Sequence, residues 1–278
     1  MNKIALSMAL MLALISGCND DAAKKDSVVD DSSINSEQGA LERSKQYPAP
    51  IESIIEQGVE IIDTFDAPAG MMGYAGMMRG QPLAIYVTKD KQYAIVGTLI
   101  DKEGVNLTSK VMEDLVEGPR MARAWKELED SNWIADGKDD APVTIYTFTD
   151  PNCPYCYKFR EAADPWIKAG KVQLRHIMVA ILRKSSMDKA ATIMGSKDPE
   201  TMLQKHHEQF DQGGIEIDPE AIEKGQVRVQ LNTNMMQRLG FGATPSSLFK
   251  DKDGKVKAIQ GLPQDEVLET MMGSPKPQ

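Results

Sequence analysis

Cysteine, histidine and tryptophan each occur only three times in 278 residues, and positive charge is in deficit, with 32 Lys and Arg against 41 Asp and Glu. Scarce cysteine excludes a disulfide framework, the usual support of small secreted domains with thin cores. A formal net charge of −9 excludes nucleic acid as the natural partner, because binding phosphate takes clustered Lys and Arg rather than surplus carboxylates. The histidines, His176, His206 and His207, come without a second cysteine pair, so no metal site is expected. Beyond the N-terminal leader no run is apolar enough to cross a bilayer, which takes about 20 residues. What remains is globular in composition, 41% hydrophobic and 26% charged, and long enough for about two domains.

The leader is informative. Lys3 precedes an apolar run from Ile4 to Ile15, which is followed by Ser16, Gly17 and Cys18. This is the layout of an export signal over residues 1–17. Ile15 to Cys18 also has the form of a bacterial lipobox, in which Cys18 takes a lipid after cleavage and the membrane is met through that anchor alone. An ordinary cleaved signal and a retained signal anchor are the other readings. Residues 18–46 run on in Asp, Ser and Lys and read as a flexible tether with a reach of about 30 Å. With Cys18 given to lipid, the mature chain keeps Cys153 and Cys156, spaced as CPYC, in an exported setting where disulfides persist.

Residues 47–108 form a first small unit. Ile51, Ile54 and Ile55 have helical spacing, and Val59 to Phe65, Leu83 to Thr88 and Tyr93 to Ile100 read as strands. So thin a core invites pairing of an edge strand with a second copy. Residues 109–132 read as a connecting helix interrupted by Gly118 and Pro119. In residues 133–278, Val143 to Phe148 is a buried strand leading into Cys153, and Val172 to Ala180 is another. Helices follow between Met187 and Gly240, with starts at Pro199 and Pro219 after Asp198 and Asp218. Strands Ser247 to Lys250 and Val256 to Ile259 flank a DKDG turn, and a last helix runs from Gln264 to Met272. The paired methionines at 71, 72, 77, 78, 235, 236, 271 and 272 read as core or interface packing without chemistry.

The strand–CPYC–helix order puts Cys153 at a helix N-terminus, where unpaired N–H groups and the helix dipole favour a thiolate. Pro154 suits the first helical turn, and Cys156, one turn on, can reach back to close a disulfide. Cys153 is then the nucleophile that forms a mixed disulfide, or meets a sulfenic acid, and Cys156 resolves it. The dithiol is itself the redox group, so no cofactor is expected. A static staple across so short a loop would contribute little. Thr244 and Pro245, in the run GATPS, stand just before the strand SSLFK; taken alone, Pro245 is an ordinary loop proline.

From about Tyr47 to Gly273 the chain resembles the DsbC and DsbG family of periplasmic thiol:disulfide interchange proteins. The resemblance is carried by TFDAPAGMMGYAG, DGKDDAPVTIYTFTDPNCPYC and VQLRHIMVAI. Pro154 and Tyr155 favour the DsbG side, since the DsbC side typically carries glycine before the tyrosine. The resemblance implies an α+β chain with a small cystatin-like N-terminal dimerisation domain, a linker helix, and a thioredoxin-fold catalytic domain carrying a helical insertion. It further implies a V-shaped homodimer whose cleft takes protein substrates, acting as a disulfide isomerase or as a reductase of sulfenylated or misoxidised cysteines. Thr244 and Pro245 would be the threonine and cis-proline that align substrate beside the redox pair. A membrane electron donor of the DsbD kind would keep the pair reduced. One departure is the lipobox and tether, since those relatives are typically soluble. Two other functions are a DsbA-like dithiol oxidase, weakened by Tyr155 where that family has histidine, and a redox-independent chaperone dimer.

Overall fold

The computed structural model describes residues 47–277; the expected export signal over residues 1–17, Cys18 and the expected tether of residues 18–46 lie outside the described residues. Helix α1 (Ala49–Glu56) buries Ile51 completely and leads to a four-stranded antiparallel sheet in the order β1 (Glu60–Asp66), β2 (Met72–Met78), β3 (Gln81–Val87) and β4 (Ala94–Val96). Strand β2 was not legible in the sequence, because MGYAGMM has neither β-branched residues nor alternation. It forms nonetheless between two better strands, and Gly73 is needed there: a Cβ at that position would fall 2.2 Å from the Phe65 ring lying across it. The strand expected over Tyr93 to Ile100 is confined to Ala94–Val96, since Gly97 turns away with φ 154°. Of the methionine pairs, Met235, Met236, Met271 and Met272 are core residues, whereas Met72 and Met78 are exposed.

Asn106 starts the next helix by accepting the Thr108 and Ser109 N–H groups, each at 3.0 Å. The expected interruption at Gly118 and Pro119 does not occur. Helix α2 (Leu107–Met112) passes through a π turn (Glu113–Glu117) into α3 (Gly118–Glu129). The Gly118 N–H reaches back five residues to the Glu113 carbonyl. The wider turn accommodates a proline that has no N–H to give an α-helical ladder. Met112 and Val116 cover the small sheet with Ala75, Ala84 and Tyr86, while Met121, Trp125 and Leu128 further along pack on the second sheet.

That sheet has five strands in the order β5 (Ile134–Asp136), β7 (Val172–Met178), β6 (Val143–Thr149), β8 (Ser246–Lys250) and β9 (Val256–Gln260); β6 and β7 are parallel and the other pairs antiparallel. Strand β5, three residues long, was also missed by the sequence reading. Central β6 is covered on both faces. Tyr146 and Phe148 join α3, Met235 and Met236 on one side, while Ile145 joins Phe159, Trp166, Leu268 and Met271 on the other. Those two faces hold α4 (Pro154–Lys168) and α8 (Asp265–Met271) on one side, and α3 with α7 (Pro219–Arg238) on the other.

Between β7 and β8 lies the helical insertion: α5 (Lys184–Gly195), α6 (Pro199–Glu208) and α7, with Asp198 and Asp218 capping the last two as their spacing predicts. Helices α5 and α7 meet at backbone contact through Gly195 and Gly225. A Cβ on either would stand 1.8 Å from the Ala221 carbonyl oxygen or 2.1 Å from that of Ala191. A side chain there would force apart the helices that frame the site.

Candidate redox site

Strand β6 ends at Thr149 and delivers the loop of Asp150, Pro151 and Asn152 to Cys153, the N-cap residue of α4. Asp150 is 1% exposed and fixes this loop. Its Oδ1 accepts from the Asn152 N–H (2.9 Å) and the Ser186 hydroxyl (2.8 Å), and its Oδ2 accepts from the Ile181 and Leu182 N–H groups (2.8 and 3.0 Å). His206 holds the next residue. Its Nε2–H donates to the Pro151 carbonyl at 2.8 Å and its Nδ1 accepts the Ile215 N–H at 3.4 Å. Burial pushes its pKa down, so the ring stays neutral and both nitrogens are engaged. Asn152 is tied to Ser185 and Ser186, and its Oδ1 accepts from Lys189 Nζ at 2.8 Å. The chain is therefore held rigid up to the first sulfur.

The two sulfurs then differ. Both thiols are free, and both residues are shielded, with Cys153 2% and Cys156 5% exposed. The Cys153 Sγ accepts the Cys156 N–H at 3.2 Å, and as a thiol it donates to the Thr244 carbonyl at 3.2 Å. The Cys156 thiol's hydrogen bond is the largest cause lowering the Cys153 pKa. Helped by the Thr244 side chain and the N–H groups of the helix start, it outweighs burial and brings the value from 9.0 to about 6. Burial, followed by the neighbouring Cys153 sulfur, pushes Cys156 well above 9.0. At neutral pH the pair holds one thiolate and one proton, with the charge on the sulfur at the helix end. Pro154 occupies the first helical position, and Tyr155 projects into solvent at 56% exposure with Lys158 over its ring.

Thr244 and Pro245 lie against this pair although 91 residues separate Thr244 from Cys153 in sequence. Their peptide bond is cis, and the Pro245 carbonyl accepts the Gly261 N–H at 2.7 Å. The Thr244 hydroxyl is buried beside the Cys153 sulfur and has no other partner among the described residues. Every redox-site residue named from the sequence within the described residues therefore falls at one place; Cys18 is not among them.

Several polar side chains nearby were missed. A cavity of about 250 Å³ opens beside both sulfurs and is lined by Asp136, Thr149, Arg160, His176 and residues of α6. At its mouth the Tyr157 ring stacks between His207 and Phe210, at 4.5 and 4.7 Å. Arg160 binds Asp136 through Nε at 2.6 Å and Nη2 at 3.1 Å, and against the cost of burial His176 and then Arg160 hold the Asp136 carboxyl far below its usual range. No sequence pattern joins Asp136, Arg160 and His176; strand β5 pairing with β7 does. Among the described residues, no group of three or more His, Cys, Asp or Glu side chains is arranged to hold a metal ion, and no helix is long and apolar enough to cross a membrane.

Comparison with known proteins gives a consistent picture. Residues 134–274 match the family model of a thioredoxin-like domain, and residues 38–109 that of the disulfide bond isomerase protein N-terminal domain. The chain is 42% identical over 237 residues to the thiol:disulfide interchange protein DsbG of Pseudomonas aeruginosa, covering 84% of this chain and 92% of that one. It is 36% identical over 236 residues to the DsbG of Escherichia coli, covering 84% and 95%. Among solved structures, the catalytic domain of Proteus mirabilis ScsC aligns with a TM-score of 0.45 at 20% identity, over 56% of this chain and 96% of that chain.

Proposed function

Because the chain belongs to the family of the thiol:disulfide interchange protein DsbG and is a thioredoxin-fold thiol:disulfide oxidoreductase, we propose that Cys153 is its nucleophile and Cys156 its resolving thiol. The asymmetry of the two sulfurs carries this reading. Only the group at the helix end is ionised at neutral pH, and the thiolate is the form that attacks. In the reducing direction the Cys153 thiolate attacks a substrate disulfide or sulfenic acid, expelling a thiolate or water. Cys156 then attacks Cys153 and releases the reduced substrate, leaving the pair as a disulfide. The buried Thr244 hydroxyl donates to the sulfur anion, and Thr244 and Pro245 align the substrate backbone across it.

The protein works in the periplasm on misoxidised or sulfenylated protein cysteines, as a homodimer joined through the small sheet. A DsbD-like membrane donor returns the pair to the dithiol, and the Cys18 lipid keeps the whole near a membrane. In support of the dimer, the edge strand β4 and its flanks leave Tyr93, Ile95, Val96 and Ile100 more than half exposed. The deciding experiment is the redox state in the cell, read by acid trapping and thiol alkylation with a mass tag. A mostly reduced pair is the expected result. A mostly oxidised one would replace this reading by a dithiol oxidase.

A further inference from the structure

Any protein that exchanges with Cys153 must cover the surface around that sulfur, and the side chains standing there have no part in the chemistry described so far. On α4, Lys158 lies over the exposed Tyr155 ring, 5.7 Å from its centre. The chain after β7 meets the redox loop directly. Asp150 accepts the Leu182 N–H, and the Asn152 side-chain amide donates to the Ser185 and Ser186 hydroxyls at 3.1 and 3.0 Å. These bonds bring Leu182, Arg183 and Lys184 beside Cys153. Leu182 is 47% exposed, and Lys158, Arg183 and Lys184 are exposed as well. None of the three cations is in an ion pair among the described residues.

The carboxylates closest to the pair are withdrawn from this surface. Asp150 is buried under four hydrogen bonds, Asp136 is bound by Arg160, and Glu161 is bonded to His207 at 2.7 Å. Asp188, Glu200, Asp265 and Glu266 are exposed on the flanking helices, and among the described residues none of them bonds to the redox loop. Positive charge therefore gathers at the reactive face of a chain whose net charge is −9. Lys184 also opens α5, where the helix dipole disfavours a cation, whereas α6 and α7 carry Glu200 and Glu220 in their first turns. Such a local misfit is expected where a surface serves binding.

We propose that Lys158, Arg183 and Lys184 select protein substrates with an acidic residue close to the target cysteine, and that the same substrate segment covers Leu182 and Tyr155. The inference rests on Cys153 as the nucleophile and names the substrate class of that site. A carboxylate on the segment gains these cations on docking, which offsets the repulsion it meets from the Cys153 thiolate and from the rest of the chain. Because the groups are exposed, salt screens the gain.

The test uses the full reduced chain and cysteine peptides activated as 2-pyridyl disulfides. Attack by Cys153 on the peptide sulfur forms a mixed disulfide and releases neutral thiopyridone, whose absorbance gives the rate. The peptides carry Asp, Asn or Lys, placed either two residues before or two residues after the cysteine. The thiolate of mercaptoethanol sets the intrinsic order, Lys above Asn above Asp, because an anion repels an anion. With the native chain at low salt, the Asp peptide in one placement should outrun its Asn counterpart by about fivefold. The advantage should disappear in about 0.5 M salt. Arg183→Glu combined with Lys184→Glu should restore the intrinsic order. Lys224→Glu combined with Lys252→Glu changes the charge equally on α7 and in the β8–β9 turn, and should keep the native order. A native chain that follows the intrinsic order in both placements overturns the proposal, as does an Asp advantage that survives the first pair of substitutions. Should that variant not fold, salt decides, and an Asp advantage that persists in about 0.5 M salt overturns the proposal equally. Failure to release thiopyridone from any peptide would overturn the nucleophile assignment and this proposal with it; equal rates on all peptides remove only the role of the three cations.

Discussion

In the five-stranded sheet the central strand is buried on both faces, with Tyr146 and Phe148 against one helical layer and Ile145 against the other. In the four-stranded sheet, one face rests on the helix carrying Met112 and Val116, and the edge strand leaves Ile95 and Val96 57% and 56% exposed. The larger unit is finished within the chain, so its reactive loop hangs from a strand buried on both faces. The smaller one closes only a modest core and presents an apolar edge with unpaired backbone groups, the kind of surface a second strand completes. Chemistry thus sits in the closed region, and the open one offers the surface proposed for assembly.

The comparison breaks first at the closed region's sulfur. Cys153→Ser should abolish thiol exchange in a disulfide-reduction assay, whereas Cys156→Ser should still attack and then accumulate a mixed disulfide visible by mass spectrometry. Equal losses at the first step would remove the asymmetry on which the roles rest.

The pH dependence is the next largest effect. In the reduced native protein, carbamidomethylation should fall on Cys153 rather than Cys156. Its rate should decline about tenfold per unit as pH drops below the Cys153 pKa, because only the thiolate reacts. Since folding lowers that pKa from 9.0 to about 6, the ionised thiol contributes stability that is fully present above the unfolded value and is lost as pH falls through the folded one. The midpoint of denaturant unfolding of the reduced protein should therefore climb between those two values. A flat profile would place the stabilisation of the thiolate elsewhere than in the folded helix end.

Asp150→Ala should destabilise the closed region by about 3 kcal/mol in chemical denaturation, because buried N–H groups of Ile181 and Leu182 lose their acceptor. Val96→Lys, on the open edge, should change unfolding by no more than about 0.5 kcal/mol. It should nevertheless convert the proposed dimer to monomer in sedimentation velocity. A dimer untouched by Val96→Lys would mean that the exposed edge is not where copies meet.

Parts of this molecule could be read directly from the chain. The capping aspartates 198 and 218 before prolines, the apolar run into CPYC and the DKDG turn are local signals, and each element formed where its own residues dictated. Strand β2 and the unbroken passage through Gly118 and Pro119 were not legible. The first depends on strands either side, and the second on a π turn that no nearest-neighbour preference announces. The same division runs through the site. Adjacency in sequence determined that Cys153 would cap a helix and Cys156 would stand one turn behind it, because helix geometry fixes both. Only the tertiary structure decided how far burial and the Thr244 loop separate the two thiols and what surrounds the pair. The Thr244 carbonyl at 3.2 Å, the burial of Cys156, and the meeting of Asp136, Arg160 and His176 beside one cavity all arise from strands and helices far apart in the chain. Desolvation and through-space charge depend on what folding brings within a few ångströms, and no local pattern encodes that.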